Sequence, residues 1–202
     1  MDVLTQGLVG GVLAQSLATK NEKKIATLVG VLSGLLADAD ILIRSSTDPL
    51  LNIEYHRHFS HSLAFIPVGA AIAMLLLWPF VRRYLSAKRL YLFCLAGYSM
   101  SGMLDACTSY GTHLFWPFSD ERVALNIISI VDPVFTLILL VTLIAGLITG
   151  RRQIAYAGLA LCMMYLGMGL VQLQRAGQVA GDLREKRGHL ATQSVVKPTL
   201  AN

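Results

Sequence analysis

Charge is scarce in this sequence. Of its 202 residues only 14% are Asp, Glu, Lys or Arg, while 54% are hydrophobic, which leaves too few polar groups to cover a water-soluble domain of this length. Cysteine is scarce as well. Cys94 and Cys162 lie inside apolar runs and Cys107 follows one, which excludes both a disulfide framework and a thiolate metal cage. No basic residue precedes Lys20, so a cleavable signal peptide has no n-region here, and Leu8 to Leu17 is expected to belong to the mature structure. No internal repeat or low-complexity segment occurs.

What is abundant is apolar sequence in runs. Crossing a hydrocarbon core roughly 30 Å thick takes about 20 residues of helix. Ser62 to Val81, Leu90 to Leu104, Asn126 to Thr149 and Ile154 to Val171 approach or meet that length. Two further runs are the short, glycine-rich Leu8 to Leu17 and Ile25 to Ile43, which Asp38 and Asp40 interrupt. The predicted fold is all-α, a polytopic transmembrane bundle of five or six helices over residues 1–172, with a polar tail over 173–202. Gly30/Gly34 and Gly146/Gly150 have the spacing of helix packing points.

The charges sort by side. Threading six spans in alternation puts Lys20, Lys23, Lys24, Arg82, Arg83, Lys88, Arg89, Arg151 and Arg152 on one side, against Arg44, Arg57 and Arg122 on the other. The positive-inside rule makes the first side cytoplasmic and predicts a multi-pass protein of a bacterial inner membrane, with the lipid bilayer as its partner. It also explains the net charge of +5 without nucleic acid. The tail departs from the rule, because Arg175, Arg184, Lys186, Arg187 and Lys197 follow the last span and would emerge in the periplasm.

Acidic and imidazole groups show the opposite distribution. Asp48, Glu54, Asp120 and Glu121 belong to loops, where a carboxylate costs nothing. Asp38, Asp40, Asp105 and Asp132 abut or lie within apolar helices, where an unpaired carboxylate costs several kcal/mol. In Ala37-Asp-Ala-Asp-Ile41 two carboxylates sit at a helix end and can reach one cation. In His56-Arg-His-Phe-Ser-His61 three imidazoles within six residues supply the nitrogen ligands that zinc, manganese or iron prefer; a pH-responsive surface is the alternative. Asp105 ends a helix, as a ligand or as the carboxylate that orients a histidine. Asp132 before Pro133 serves equally as an N-cap or as a ligand. Trp116 and Phe118 are expected to seat a loop at the membrane interface.

Met1-Asp-Val-Leu-Thr-Gln-Gly7, Gly34-Leu-Leu-Ala-Asp-Ala-Asp40, His56-Arg-His-Phe-Ser-His-Ser62, Leu104-Asp-Ala-Cys-Thr-Ser-Tyr-Gly-Thr112, Trp116-Pro-Phe-Ser119 and Val131-Asp-Pro133 occur in this order. Over residues 1–145 the chain thereby resembles a bacterial family of membrane-bound, metal-dependent hydrolases of the inner membrane, some of them associated with the DNA-damage response. The resemblance implies a divalent metal, zinc with manganese or iron as alternatives, held by Asp38, Asp40, His56, His61 and Asp105. His58 falls where such sequences often carry a small residue. Two departures stand out: Ala37 replaces a proline, and Ser101 replaces a histidine one helical turn before Asp105. The implied chemistry is hydrolysis of a phosphoester or lipid-linked substrate at the periplasmic face, with Asp105 as ligand or base. The competing expectation is a non-catalytic membrane protein with a structural metal or a pH-sensing histidine cluster. Oligomeric state is left open by the sequence.

Overall fold

A computed structural model describes residues 1–43, 47–48, 55–188 and 195–199. Arg44, Asn52, Glu54 and His189 lie outside the described residues. Six α-helices are present among those described: α1 (Val3–Leu17), α2 (Lys23–Leu36), α3 (Ile66–Val81), α4 (Ala87–Ala106), α5 (Pro133–Thr149) and α6 (Arg152–Arg187). Short 3₁₀ segments follow α2 (Ala37–Leu42) and lead into α3 (Phe59–His61 and Leu63–Phe65). There is no sheet among the described residues, only isolated bridges between Thr108 and Ile128 and between Thr112 and Val123.

Helix α1 is the hub. It packs against α2, α4, α5 and α6, and most of its residues are buried. Its neighbours come this close because of glycine: a Cβ on Gly30 would overlap the Gly10 carbonyl oxygen, and one on Gly34 would lie 2.7 Å from the Gln6 carbonyl oxygen. The expected packing role of Gly30 and Gly34 holds. Gly150 differs, ending α5 in the left-handed conformation at φ 69°, where a residue without Cβ costs least.

The outer surface is apolar. Leu75, Leu76 and Phe80 on α3, Ile148 on α5 and Met163, Met164 and Met168 on α6 are exposed, a pattern that water would penalise and lipid does not. Among the described residues three segments are long and apolar enough to cross a membrane, Lys23–Leu42, Leu63–Val81 and Arg152–Arg187; Val3–Leu17 and Pro133–Thr149 are shorter apolar helices.

The run predicted from Asn126 begins as helix only at Pro133. Asp132 caps it, its carboxylate accepting the Phe135 amide at 3.0 Å, and proline at the first turn forfeits no hydrogen bond. The last helix continues past 172 to Arg187, where Arg184, Lys186 and Arg187 occupy the final turn and Gly188 closes it at φ 63°, cations and a left-handed cap being what a helix C-terminus favours.

A candidate metal centre at the acidic end

The helix ends that carry carboxylates meet at one end of the bundle. Helix α2 stops at Leu36 and tightens into 3₁₀ geometry over Ala37–Leu42. At three residues per turn, side chains two apart diverge by roughly 120°, so Asp38 and Asp40 face different neighbours. Between them lies His61, in the 3₁₀ turn ahead of α3, with Ser62 capping the next turn by accepting the Phe65 amide. Asp105 arrives from the last turn of α4. That helix can approach because residue 102 is glycine; a Cβ there would overlap the His61 carbonyl oxygen.

His61 Nε2 stands 3.3 Å from Asp38 Oδ1 and 3.2 Å from Asp105 Oδ2. The ligand atoms of these three residues all lie within 4.8 Å of one another, and all three residues are buried. Both oxygens of Asp38 and Nε2 of His61 make no hydrogen bond among the described residues. A tetrahedral zinc with bonds of about 2.0–2.1 Å places its ligand atoms roughly 3.4 Å apart, which is close to the two distances observed.

Asp40 works on the other face of the same ring. Its Oδ1 meets His56 Nδ1 at 2.9 Å, and its Oδ2 accepts the Arg57 amide at 2.8 Å and the Ser60 hydroxyl at 2.7 Å. Ser60 Oγ lies 3.0 Å from His61 Nδ1. With the Ser60 proton given to Asp40, the hydroxyl oxygen accepts from Nδ1–H, and this assigns the tautomer whose Nε2 lone pair points at Asp38 and Asp105. Three lone-pair bearers then face one another, an arrangement that a cation relieves. The five residues expected as ligands thus come together in two layers: Asp38, His61 and Asp105 inside, Asp40 and His56 behind His61.

Asp105, fully buried, is the most heavily bonded of the three inner residues. The Met1 amine contacts Oδ1, Gln6 Nε2 donates to Oδ2 at 3.1 Å, and Arg57 Nε lies 3.3 Å from Oδ2. Gln6 and Arg57 carry no metal-ligand chemistry and were not among the expected site residues. The signals available were an amide inside an apolar helix and a guanidinium inside the histidine motif. Arg57 adopts φ 60°, unusual outside glycine, stacks on Tyr110 at 4.8 Å and leaves its Nη1 without a hydrogen bond among the described residues. Arg122 lies over the same ring at 4.9 Å.

Three expected site residues point elsewhere. Ser101 is buried one turn before Asp105, with its hydroxyl 3.4 Å from the Gly34 carbonyl. Asp132 caps α5 and accepts the Tyr165 hydroxyl at 2.9 Å, the N-cap role rather than the ligand role. His58 packs on His113 with ring centroids 4.5 Å apart, and on Trp116 at 5.9 Å. Burial, then the neighbouring His58 and Arg122, lower the His113 pKa below the usual imidazole value.

The family described as YdjM inner membrane protein matches residues 1–176. The uncharacterized protein YfhP of Bacillus subtilis (strain 168) is 25% identical over 176 residues, covering 87% of this chain and 53% of that protein. The inner membrane protein YbcI of Escherichia coli (strain K12) is 31% identical over 125 residues, covering 59% of this chain and 69% of that protein. The chain therefore spans about half the length of the Bacillus relative. No solved structure matches it.

Proposed function

The chain belongs to the YdjM inner membrane protein family, and for this member we propose a metal-dependent hydrolase whose centre is Asp38, His61 and Asp105 and whose substrates are phosphoesters. The observation that carries the reading is the set of buried lone pairs, both Asp38 oxygens and His61 Nε2, converging without hydrogen bonds. Three protein ligands with a fourth position left for water is the pattern of catalytic rather than structural zinc. A divalent cation held there supplies a water with a pKa near 7 and polarises a phosphoryl oxygen.

The chain's own residues do the rest. Asp40, through Ser60, fixes the His61 ring, and His56 and the Arg57 amide fix Asp40. Arg57, with Nη1 unspent beside the cluster, is placed to donate to an anionic substrate oxygen, and this favours phosphoesters over neutral esters. Ser101 adds no imidazole to the centre. We assign the acidic end to the periplasm from the positive-inside rule.

The test is elemental analysis of purified protein with and without chelator, alongside turnover of a generic phosphoester. Stoichiometric metal with turnover that chelation abolishes and zinc or manganese restores supports the reading; absence of metal removes it. A structural metal is the second reading, favoured by the hydrogen bonds already spent on Asp105. It predicts that chelation unfolds the protein and that no phosphoester is turned over. Cysteines placed at Ser119 and Ser86 in a chain without its native three test the orientation: labelling from outside at Ser119 alone agrees, and at Ser86 alone reverses it.

A further inference from the structure

Beside the cluster, between the end of α2 and the start of α3, the structure has an open slot of about 220 Å³. Leu36, Ile43, Phe65 and Ile72 form its sides, and Asp40 and Ser60 lie at its inner end. Tyr98 closes the back. Its hydroxyl donates to the Ser60 carbonyl at 2.8 Å, and its ring occupies the space that a Cβ on Gly69 would fill. Phe59 braces Phe65 edge-on, with ring centroids 5.3 Å apart.

Leu36, Phe65 and Ile72 belong to segments able to cross a membrane, Lys23–Leu42 and Leu63–Val81, and Ile43 lies one residue beyond the first. Of the lining, Ile72 is exposed, and so are Ile41, Leu42 and Val68, each next to a lining residue in the chain, so the slot opens toward the surface that meets lipid. Water gains little there. A stable water needs two to four polar partners, and the polar groups on offer are spent: Asp40 on His56, Arg57 and Ser60, and the Ser60 hydroxyl on Asp40 and His61. The volume is several times the roughly 30 Å³ share of one water. Apolar sides, a mouth on the bilayer and an inner end at Asp40 and Ser60, the layer behind His61, match one kind of occupant, the hydrocarbon chain of an amphiphile.

We infer that the slot takes one acyl chain of a membrane lipid, so that the substrates of the neighbouring centre are lipids carrying phosphoester headgroups, admitted sideways from the bilayer. The substrate half rests on the hydrolytic reading above; the binding half does not. Asp40 is the physical link, since one carboxylate both ends the slot and orients His61. Because a chain entering the slot leaves other chains rather than water, the site selects by shape and not by hydrophobic gain.

The test uses the full chain in nanodiscs of phosphatidylethanolamine and phosphatidylglycerol containing a trace of phosphatidylglycerol with a diazirine on one acyl chain. After photolysis, the half-buried Leu36 and Phe65 should carry label at least as heavily as the lipid-facing Leu137 on α5. Ile72→Trp, which fills the mouth from the lipid side, should cut labelling of Leu36 and Phe65 by at least about tenfold and leave Leu137 and metal content unchanged. Unlabelled Leu36 and Phe65, or labelling indifferent to Ile72→Trp, overturns the slot. Hydrolysis separates the two halves. If water-soluble dihexanoyl phosphatidylglycerol is turned over while the slot stays unlabelled, the slot falls and the hydrolase stands. If the slot is labelled and neither dihexanoyl nor dioleoyl phosphatidylglycerol is turned over by metal-loaded protein, the substrate assignment falls and the lipid site stands. Both hold if Ile72→Trp slows dioleoyl turnover and spares dihexanoyl turnover.

Discussion

The two ends of the bundle use charge differently. At the basic end Glu22 and Arg89 form a paired, partly exposed bridge, with Arg89 Nη2 to Glu22 Oε2 at 2.6 Å and Nε to Oε1 at 2.9 Å, and Arg152 Nε donates to the Ala18 carbonyl at 2.6 Å. These are anchoring contacts, each donor matched by an acceptor. Lys23 is buried there with no hydrogen bond to its ammonium among the described residues, but a lone cation is not a converging set of ligands. At the acidic end three carboxylates and an imidazole are drawn together out of water, and among the groups left without hydrogen bonds there both Asp38 oxygens and His61 Nε2 face one point. Burial of acceptors against acceptors costs stability unless a cation completes them, and here Asp38 and His61 carry that cost while the Met1 amine and Arg57 meet Asp105.

The largest break in that contrast should come from removing an inner residue. Asp38→Ala and His61→Ala should each lower bound metal by about tenfold or more in elemental analysis, while His113→Ala should leave it unchanged; equal metal in all three would dissolve the difference between the ends. Gly102→Ala should act next. Its Cβ would overlap the His61 carbonyl oxygen, and the displacement should cost about 1–3 kcal/mol in thermal unfolding, with partial loss of metal. If Gly102→Ala is silent in both measurements, α4 does not hold His61 in place.

Ser101→His sharpens the comparison by adding an imidazole one turn before Asp105. Because Ser101 directs its hydroxyl at the Gly34 carbonyl rather than at the cluster, unchanged metal loss to chelator is the expected outcome, and slower loss would put position 101 at the centre. The smallest effect belongs to the basic end. The hydrogen bond from Arg89 pulls the Glu22 pKa down to about 2 from 4.5. A carboxylate depressed by folding contributes stability that is complete above its unfolded value and lost as the pH falls from about 4.5 toward 2. The bridge is partly exposed, so Arg89→Ala should cost no more than about 1 kcal/mol, remove part of the acid sensitivity in that window and leave metal content untouched.

The sequence by itself determined the class of solvent and the end of the bundle where the polar groups gather. Apolar runs of membrane length and the basic loops between them are local properties of the chain, readable because a bilayer acts on each segment separately. The carboxylates at helix ends and the histidine motif were legible for the same reason, as polar groups where apolar ones were expected. Tertiary structure alone decided which of those groups face one another. That Asp38 and Asp40 part around His61 follows from a 3₁₀ turn, and that Asp105 reaches them follows from glycine contacts among α1, α2, α4 and the turn before α3. Gln6 and Arg57 joined the site because α1 runs through the centre of the bundle and because Arg57 takes a left-handed backbone. Convergence of residues about a hundred positions apart depends on how helices pack in three dimensions, and spacing along the chain carries no record of that.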